Sequence, residues 1–127
     1  MKIAGYKTKT FGVQTKRYCQ TLDLKEDAAL IETYVKLHGE KESWPEIRAG
    51  IRSVGILEME IYILDNRLFM IVETPLDFDW DAAFARLASL PRQQEWEDCV
   101  SVFQAVRENS TSAEKWKPME RIFRLYD

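Results

Sequence analysis

Apolar and polar positions alternate along residues 17–24. Tyr18, Gln20, Leu22 and Leu24 share one face, and Cys19, Thr21 and Asp23 share the other, which predicts a strand. The period then lengthens. Leu30, Tyr34 and His38 stand one helical turn apart with Ile31 and Val35 beside them, behind Asp27 as a cap and ahead of Gly39 as a stop. Polar residues 39–43 lead to a second helix opened by Trp44-Pro45-Glu46, with Trp44, Ile47 and Ile51 as its apolar stripe and Gly55 at its end. Residues 56–64 alternate strongly. Leu57, Met59, Ile61 and Ile63 lie on one side, and Glu58, Glu60 and Tyr62 on the other. The turn Asp65-Asn66-Arg67 and the run Leu68–Glu73 complete a hairpin. Pro75 and Asp77-Phe78-Asp79 break the sheet. Two helices follow, one striped by Trp80, Phe84 and Leu87, the other, after Pro91, by Trp96, Val100 and Phe103. Residues 108–115 read as a polar loop. Met119–Leu125 reads as a last strand, with Met119, Arg121, Phe123 and Leu125 on one side.

Strand, helix pair, hairpin, helix pair, strand is the split β-α-β order of an α+β, ferredoxin-like sandwich. A four-stranded antiparallel sheet carries its helices on one face. The other face holds apolar and aromatic residues beside its charges and needs a cover. Two sheets meeting in a homodimer, a dimeric α/β barrel, are the simplest one.

Composition narrows the function. With 127 residues, 46% of them hydrophobic and 31% charged, the chain has enough apolar mass for one core. It holds no apolar run long enough to span a bilayer and no signal-peptide stretch, so no membrane is expected. Cys19 and Cys99 form neither a disulfide framework nor a metal clamp, and the chain reads as a reduced, cytoplasmic protein. His38 is the single histidine, so no metal is expected. The net charge of −3 hides an uneven spread. Residues 1–16 form a basic N-terminal extension with Lys2, Lys7, Lys9 and Lys16, and residues 17–127 form a single acidic domain. That body lacks the basic face a nucleic acid requires. The extension reads as an interaction arm or, by preference, as a loosely ordered terminus.

Tyr34 and His38 point the same way from their helix. Facing inward, they reach only the covered side of the sheet, where Leu57, Met59 and Ile61 lie. Glu58 and Glu60 turn toward solvent or a partner. Histidine titrates close to neutrality and is the natural proton carrier. The plainer alternative is structural: a histidine ahead of a glycine suits a helix C-terminus, and a tyrosine at that spacing is commonly a core aromatic. Of Trp44, Trp80, Trp96 and Trp116, at least two are expected in the core. Trp96, behind Gln93-Gln94-Glu95, is the one expected to line a wet pocket, where an indole stacks on a sugar. No spacing of acids marks glycosidase chemistry. Phosphate-loop, dinucleotide and nucleophile-elbow motifs are missing from the sequence.

The runs Tyr34-Val35-Lys36-Leu37-His38, Trp44-Pro45-Glu46-Ile47 and Gly55-Ile56-Leu57-Glu58-Met59-Glu60-Ile61-Tyr62 carry a resemblance, with Asn66-Arg67-Leu68-Phe69, Gln94-Glu95-Trp96 and Met119–Leu125 behind them. In order and spacing, over residues 17–126, the chain resembles the L-rhamnose mutarotase family. That family comprises small dimeric ferredoxin-like proteins that interconvert the α and β anomers of a 6-deoxy sugar with neither cofactor nor metal. The resemblance implies that His38 is the proton donor, that Tyr34 contacts the monosaccharide, and that Met59 and Trp96 occupy sugar-contacting positions. Glu97 joins them as a substrate-binding position. The family commonly has Tyr at the place of Met59 and a second Trp at that of Glu97, and this chain's loop between His38 and Trp44 is slightly longer. These departures bear on the identity of the sugar, with L-rhamnose expected first and L-fucose as the alternative. A non-catalytic, ligand-binding dimer on the same scaffold is the alternative from another class, since one scaffold hosts many roles. A cofactor-free oxygenase of this architecture is weaker, because no residue asks for it.

Overall fold

The computed structural model describes residues 3–39, 44–106 and 110–126. Lys2, residues 40–43 of the expected polar connection and residues 108–109 of the expected polar loop lie outside that set. Strands β1 (Thr15–Asp23), β2 (Glu58–Leu64), β3 (Arg67–Pro75) and β4 (Lys117–Pro118) form one antiparallel sheet in the order β2-β3-β1-β4. Helices α1 (Ala28–Leu37) and α2 (Pro45–Ser53) precede the β2–β3 hairpin. Helices α3 (Trp80–Ala88), α4 (Gln93–Ser101) and the short α5 (Ser112–Lys115) follow it. This is the ferredoxin-like order expected from the sequence.

Helix α1 begins where Asp27 accepts from the backbone N–H groups of Ala29 and Leu30 at 3.0 and 3.1 Å. It ends at His38, whose own backbone N–H caps it. An aspartate cap contributes about 1 kcal/mol, spent here on the helix that carries Tyr34 and His38. Tyr34 is its buried residue, while Val35 is exposed, so the inward face is narrower than the sequence pattern suggests. Helix α2 starts at Pro45 and ends at Ser53, and the turn after it holds Gly55, whose φ of 100° is a conformation that favours glycine. The turn there delivers Leu57 and Met59 beneath the helices.

The β2–β3 register pairs Met59 with Val72 and Ile61 with Met70. These side chains, with Leu22 and Leu68, form the sheet's share of the core. The opposite face presents Thr21, Phe69, Ile71 and Tyr62 beside Arg17, Asp23, Glu60 and Glu73. Tyr6 from the basic extension packs edge-on against Tyr62 at 5.7 Å. Strand β1 starts at Thr15, just inside the expected extension.

Two expectations change. Residues 112–115, expected as loop, are helical, because Thr111 and Glu114 make a reciprocal capping box. The last strand is not 119–125: the paired residues are Lys117 and Pro118, opposite Thr21 and Gln20. Beyond the bond from Met119 N–H to Cys19 O, the alternating tail finds no neighbouring strand among the described residues. Ile122 is 93% exposed and Phe123 and Leu125 75%. Among the described residues, no helix is long and apolar enough to cross a membrane.

Candidate active site

Between the helices and β2 lies a cavity of about 470 Å³, bordered by Tyr34, His38, Trp44, Met59, Trp96, Glu97, Gln104 and Trp116, among others. All five residues singled out from sequence therefore meet around one hollow. Trp96, expected as the exception to the core tryptophans, is buried in the core cluster, and it also borders the cavity. Trp44 and Trp116 border it too. Trp80 does not; it stacks on Phe84 at 4.1 Å and meets Tyr18 at a tilt at 4.5 Å.

An aromatic wall runs from α1 to α4. The Tyr34 and His38 rings are 4.3 Å apart, His38 meets Trp96 edge-on at 5.2 Å, and Trp96 meets Trp44 edge-on at 5.2 Å. The Arg92 guanidinium closes the outer end, 4.2 Å from the Trp44 ring centre. Arg92 stands in the left-handed region (φ 67°) just before α4. That strain, about 1–2 kcal/mol for a residue with a side chain, is offset by its contacts with Trp44, Glu46 and Glu95.

The helix also fixes the chemistry of His38. Its Nδ1 lies 2.8 Å from the Tyr34 carbonyl oxygen. A carbonyl only accepts, so Nδ1 carries the proton and Nε2 is the basic nitrogen of the neutral ring. Burial lowers the His38 pKa; the bond to Tyr34 opposes this, and the Arg48 charge adds to the lowering. The ring is neutral at pH 7. Unfolding lets it take up a proton at higher pH than the folded state does, so acidification below about 6.5 removes stability until the folded pKa is passed.

Burial raises the Tyr34 pKa well above the usual phenol value, against the hydrogen bond from Gln104 and with the charge of Glu97. Its hydroxyl keeps its proton and is a donor. Glu97 is fully engaged: Oε1 accepts from Lys115 Nζ at 2.8 Å and Oε2 from Gln93 Nε2 at 2.8 Å. Lys115 also donates to the Glu97 carbonyl at 2.7 Å. Two more residues reach the cavity against expectation. Glu58 borders it with its carboxylate folded back on the Met59 N–H at 3.0 Å, and Lys9 of the basic extension borders it as well.

Comparison with known proteins decides the family. Residues 17–125 match the family model described as L-rhamnose mutarotase. The chain belongs to the L-rhamnose mutarotase family. Among its relatives, an L-fucose mutarotase from Xanthomonas campestris is 42% identical over 110 residues, covering 87% of this chain and 88% of that protein. A UPF0734 protein from Dictyostelium discoideum is 37% identical over 115 residues, covering 87% of this chain and 90% of its own length. The crystal structure of an L-rhamnose mutarotase from Formosa agariphila superposes with a TM-score of 0.65 at 22% identity, covering 87% of this chain and 99% of that one. At that identity the likeness speaks for the fold.

The residues missed by sequence reading are Gln104 and Lys115. Nothing in the local pattern marks Gln104, which owes its place to a backbone bridge with Leu24. Lys115 was recoverable: the Thr111-x-x-Glu114 capping box signals the helix that aims it inward.

Proposed function

We propose that this protein is a mutarotase that interconverts the α and β anomers of a 6-deoxyhexose, with His38 moving the proton. The observation that carries this is the bond between His38 Nδ1 and the Tyr34 carbonyl, which leaves a neutral, basic Nε2 on a residue bordering the cavity. Ring opening breaks the O–H bond at the anomeric hydroxyl and the bond from C1 to the ring oxygen; it forms C1=O and a new O–H at the former ring oxygen. Both oxygens are carried by C1. One nitrogen can therefore take the proton from the first and return it to the second, and closure on the other face of the aldehyde runs the same steps backwards. His38 is the proton donor in one half of the cycle and the acceptor in the other. Tyr34 donates to a sugar oxygen, and Trp96 supports the ring by stacking. Met59 offers an apolar side to the sugar's methyl group. Glu97, held by Lys115 and Gln93, shapes the wall beside them.

The test is saturation-transfer NMR of L-fucose and L-rhamnose at anomeric equilibrium. Identity to the Xanthomonas L-fucose mutarotase recommends L-fucose as the first sugar; the family description recommends L-rhamnose. Exchange above the buffer rate for either sugar supports the proposal. Buffer-rate exchange for both overturns it, and saturable binding without exchange turns the protein into a non-catalytic sugar binder. The lowered His38 pKa sets the pH profile. The rate is expected to hold as pH falls through 7 and to decline only below about 6.5, where imidazolium accumulates. An acid limb centred above that value contradicts a buried, neutral base.

We also propose a homodimer in a reducing compartment such as the cytoplasm. The half-apolar sheet face and the exposed Ile122, Phe123 and Leu125 support a second copy as their cover. The free thiols of Cys19 and Cys99 suit a reducing compartment. Light scattering at micromolar concentration is expected to give twice the chain mass, and removal of residues 119–127 to give a monomer. A monomeric full-length chain rejects the arrangement.

A further inference from the structure

We propose that Gln104 is a sugar-binding residue whose side-chain oxygen accepts a hydrogen bond from a hydroxyl of the substrate. This deepens the mutarotase reading and rests on it. Gln104 is 2% exposed. Its backbone is held on two sides, by the bridge to Leu24 and by its N–H on the Ser101 carbonyl at 3.1 Å. Its Nε2 donates to the Tyr34 hydroxyl at 3.4 Å. Its Oε1 is buried and, among the described residues, has no hydrogen-bond partner.

A buried carbonyl oxygen without a donor costs about 1–3 kcal/mol, and folded proteins keep few of them. This one belongs to a residue that borders the cavity with Tyr34, His38 and Trp96. A pyranose supplies what it lacks, because every sugar hydroxyl is a donor. Tyr34 completes the match. Its oxygen accepts from Gln104, so its own proton is available to a second sugar oxygen. Acceptor and donor belong to two hydrogen-bonded residues of the cavity border, which suits two hydroxyls of one ring. The pair stands next to His38 without taking part in proton transfer, so its contribution falls on how the sugar is bound and turned.

The test compares wild type with Gln104→Leu, which removes the amide at similar volume. The half-saturating sugar concentration is expected to rise roughly tenfold, the loss of one hydrogen bond to a buried group. The maximal exchange rate should stay within a few-fold, and the melting temperature should hold or rise, because the orphaned acceptor is gone. Lowered stability with unchanged half-saturation would make Gln104 a structural residue and overturn the proposal. Unchanged behaviour in both would overturn it too. Should Gln104→Leu fold poorly, monodeoxy analogues of the sugar on wild type decide. One of them must lose about the same factor, and equal binding of all of them rejects the contact. A wild type that exchanges no 6-deoxyhexose removes the mutarotase reading itself; normal wild-type exchange beside an unaffected Gln104→Leu removes only this inference.

Discussion

His38→Asn is expected to return anomer exchange to the buffer rate while leaving the fold in place. A positioned acid or base contributes about 10²–10⁴-fold, and free sugars already mutarotate in water, so in the proposed mechanism loss of this group removes the enzymatic advantage. Asparagine keeps an N–H for the Tyr34 carbonyl that now receives Nδ1–H, so the end of α1 stays capped. It has no basic nitrogen and cannot shuttle a proton. Circular dichroism should match wild type, and sugar binding should persist, since Trp96, Tyr34 and Gln104 are untouched. Exchange retained at a large fraction of the wild-type rate would show that another group moves the proton.

Lys115→Met is expected to produce the largest loss of stability of any single substitution at the site. The Lys115 side chain is fully buried and that of Glu97 8% exposed, with 2.8 Å between their charged atoms. A buried pair is weak evidence for stability as a whole, because both charges lose their hydration. Removing one partner is different, since it strands the other at a cost of about 3–5 kcal/mol. In a domain of this size that corresponds to a fall in melting temperature on the order of 10–20 °C. The second substitution Glu97→Gln, added to Lys115→Met, should restore a large part of the loss, because it removes the stranded charge and still accepts from Gln93. Thermal melts of the two variants and wild type check both statements. A single variant as stable as wild type would mean that water reaches the Glu97 carboxylate.

The contrast between these two residues shows what the sequence could disclose. His38 was legible because helix signals are local: the Asp27 cap, the spacing from Tyr34 and the stop at Gly39 place the ring without tertiary information. The hairpin was legible for the same reason, and its alternation turned Met59 inward. Gln104 was not, because its role depends on Leu24 and Tyr34, far along the chain; for Lys115 the capping box marks the helix, but its partner Glu97 on α4 is visible only in the fold. The tail 119–126 failed in a third way. Its alternation is that of a strand, but a strand exists only where an edge receives it, and the described residues of one copy pair none beyond Pro118. Glu58 marks the limit of alternation itself. It stands at the first position of β2, where its carboxylate turns back on the Met59 N–H and borders the cavity that strict alternation would deny it.

The proposed mechanism depends most directly on the protonation of one ring. Long-range ¹H–¹⁵N NMR of the single histidine, in the free protein and at saturating sugar, reads it without reference to rate. The expected spectrum at neutral pH is that of a neutral imidazole protonated at Nδ1, with the Nε2 resonance moving when sugar is added. A proton on Nε2 instead, or an Nε2 resonance indifferent to saturating L-fucose and L-rhamnose, would contradict it.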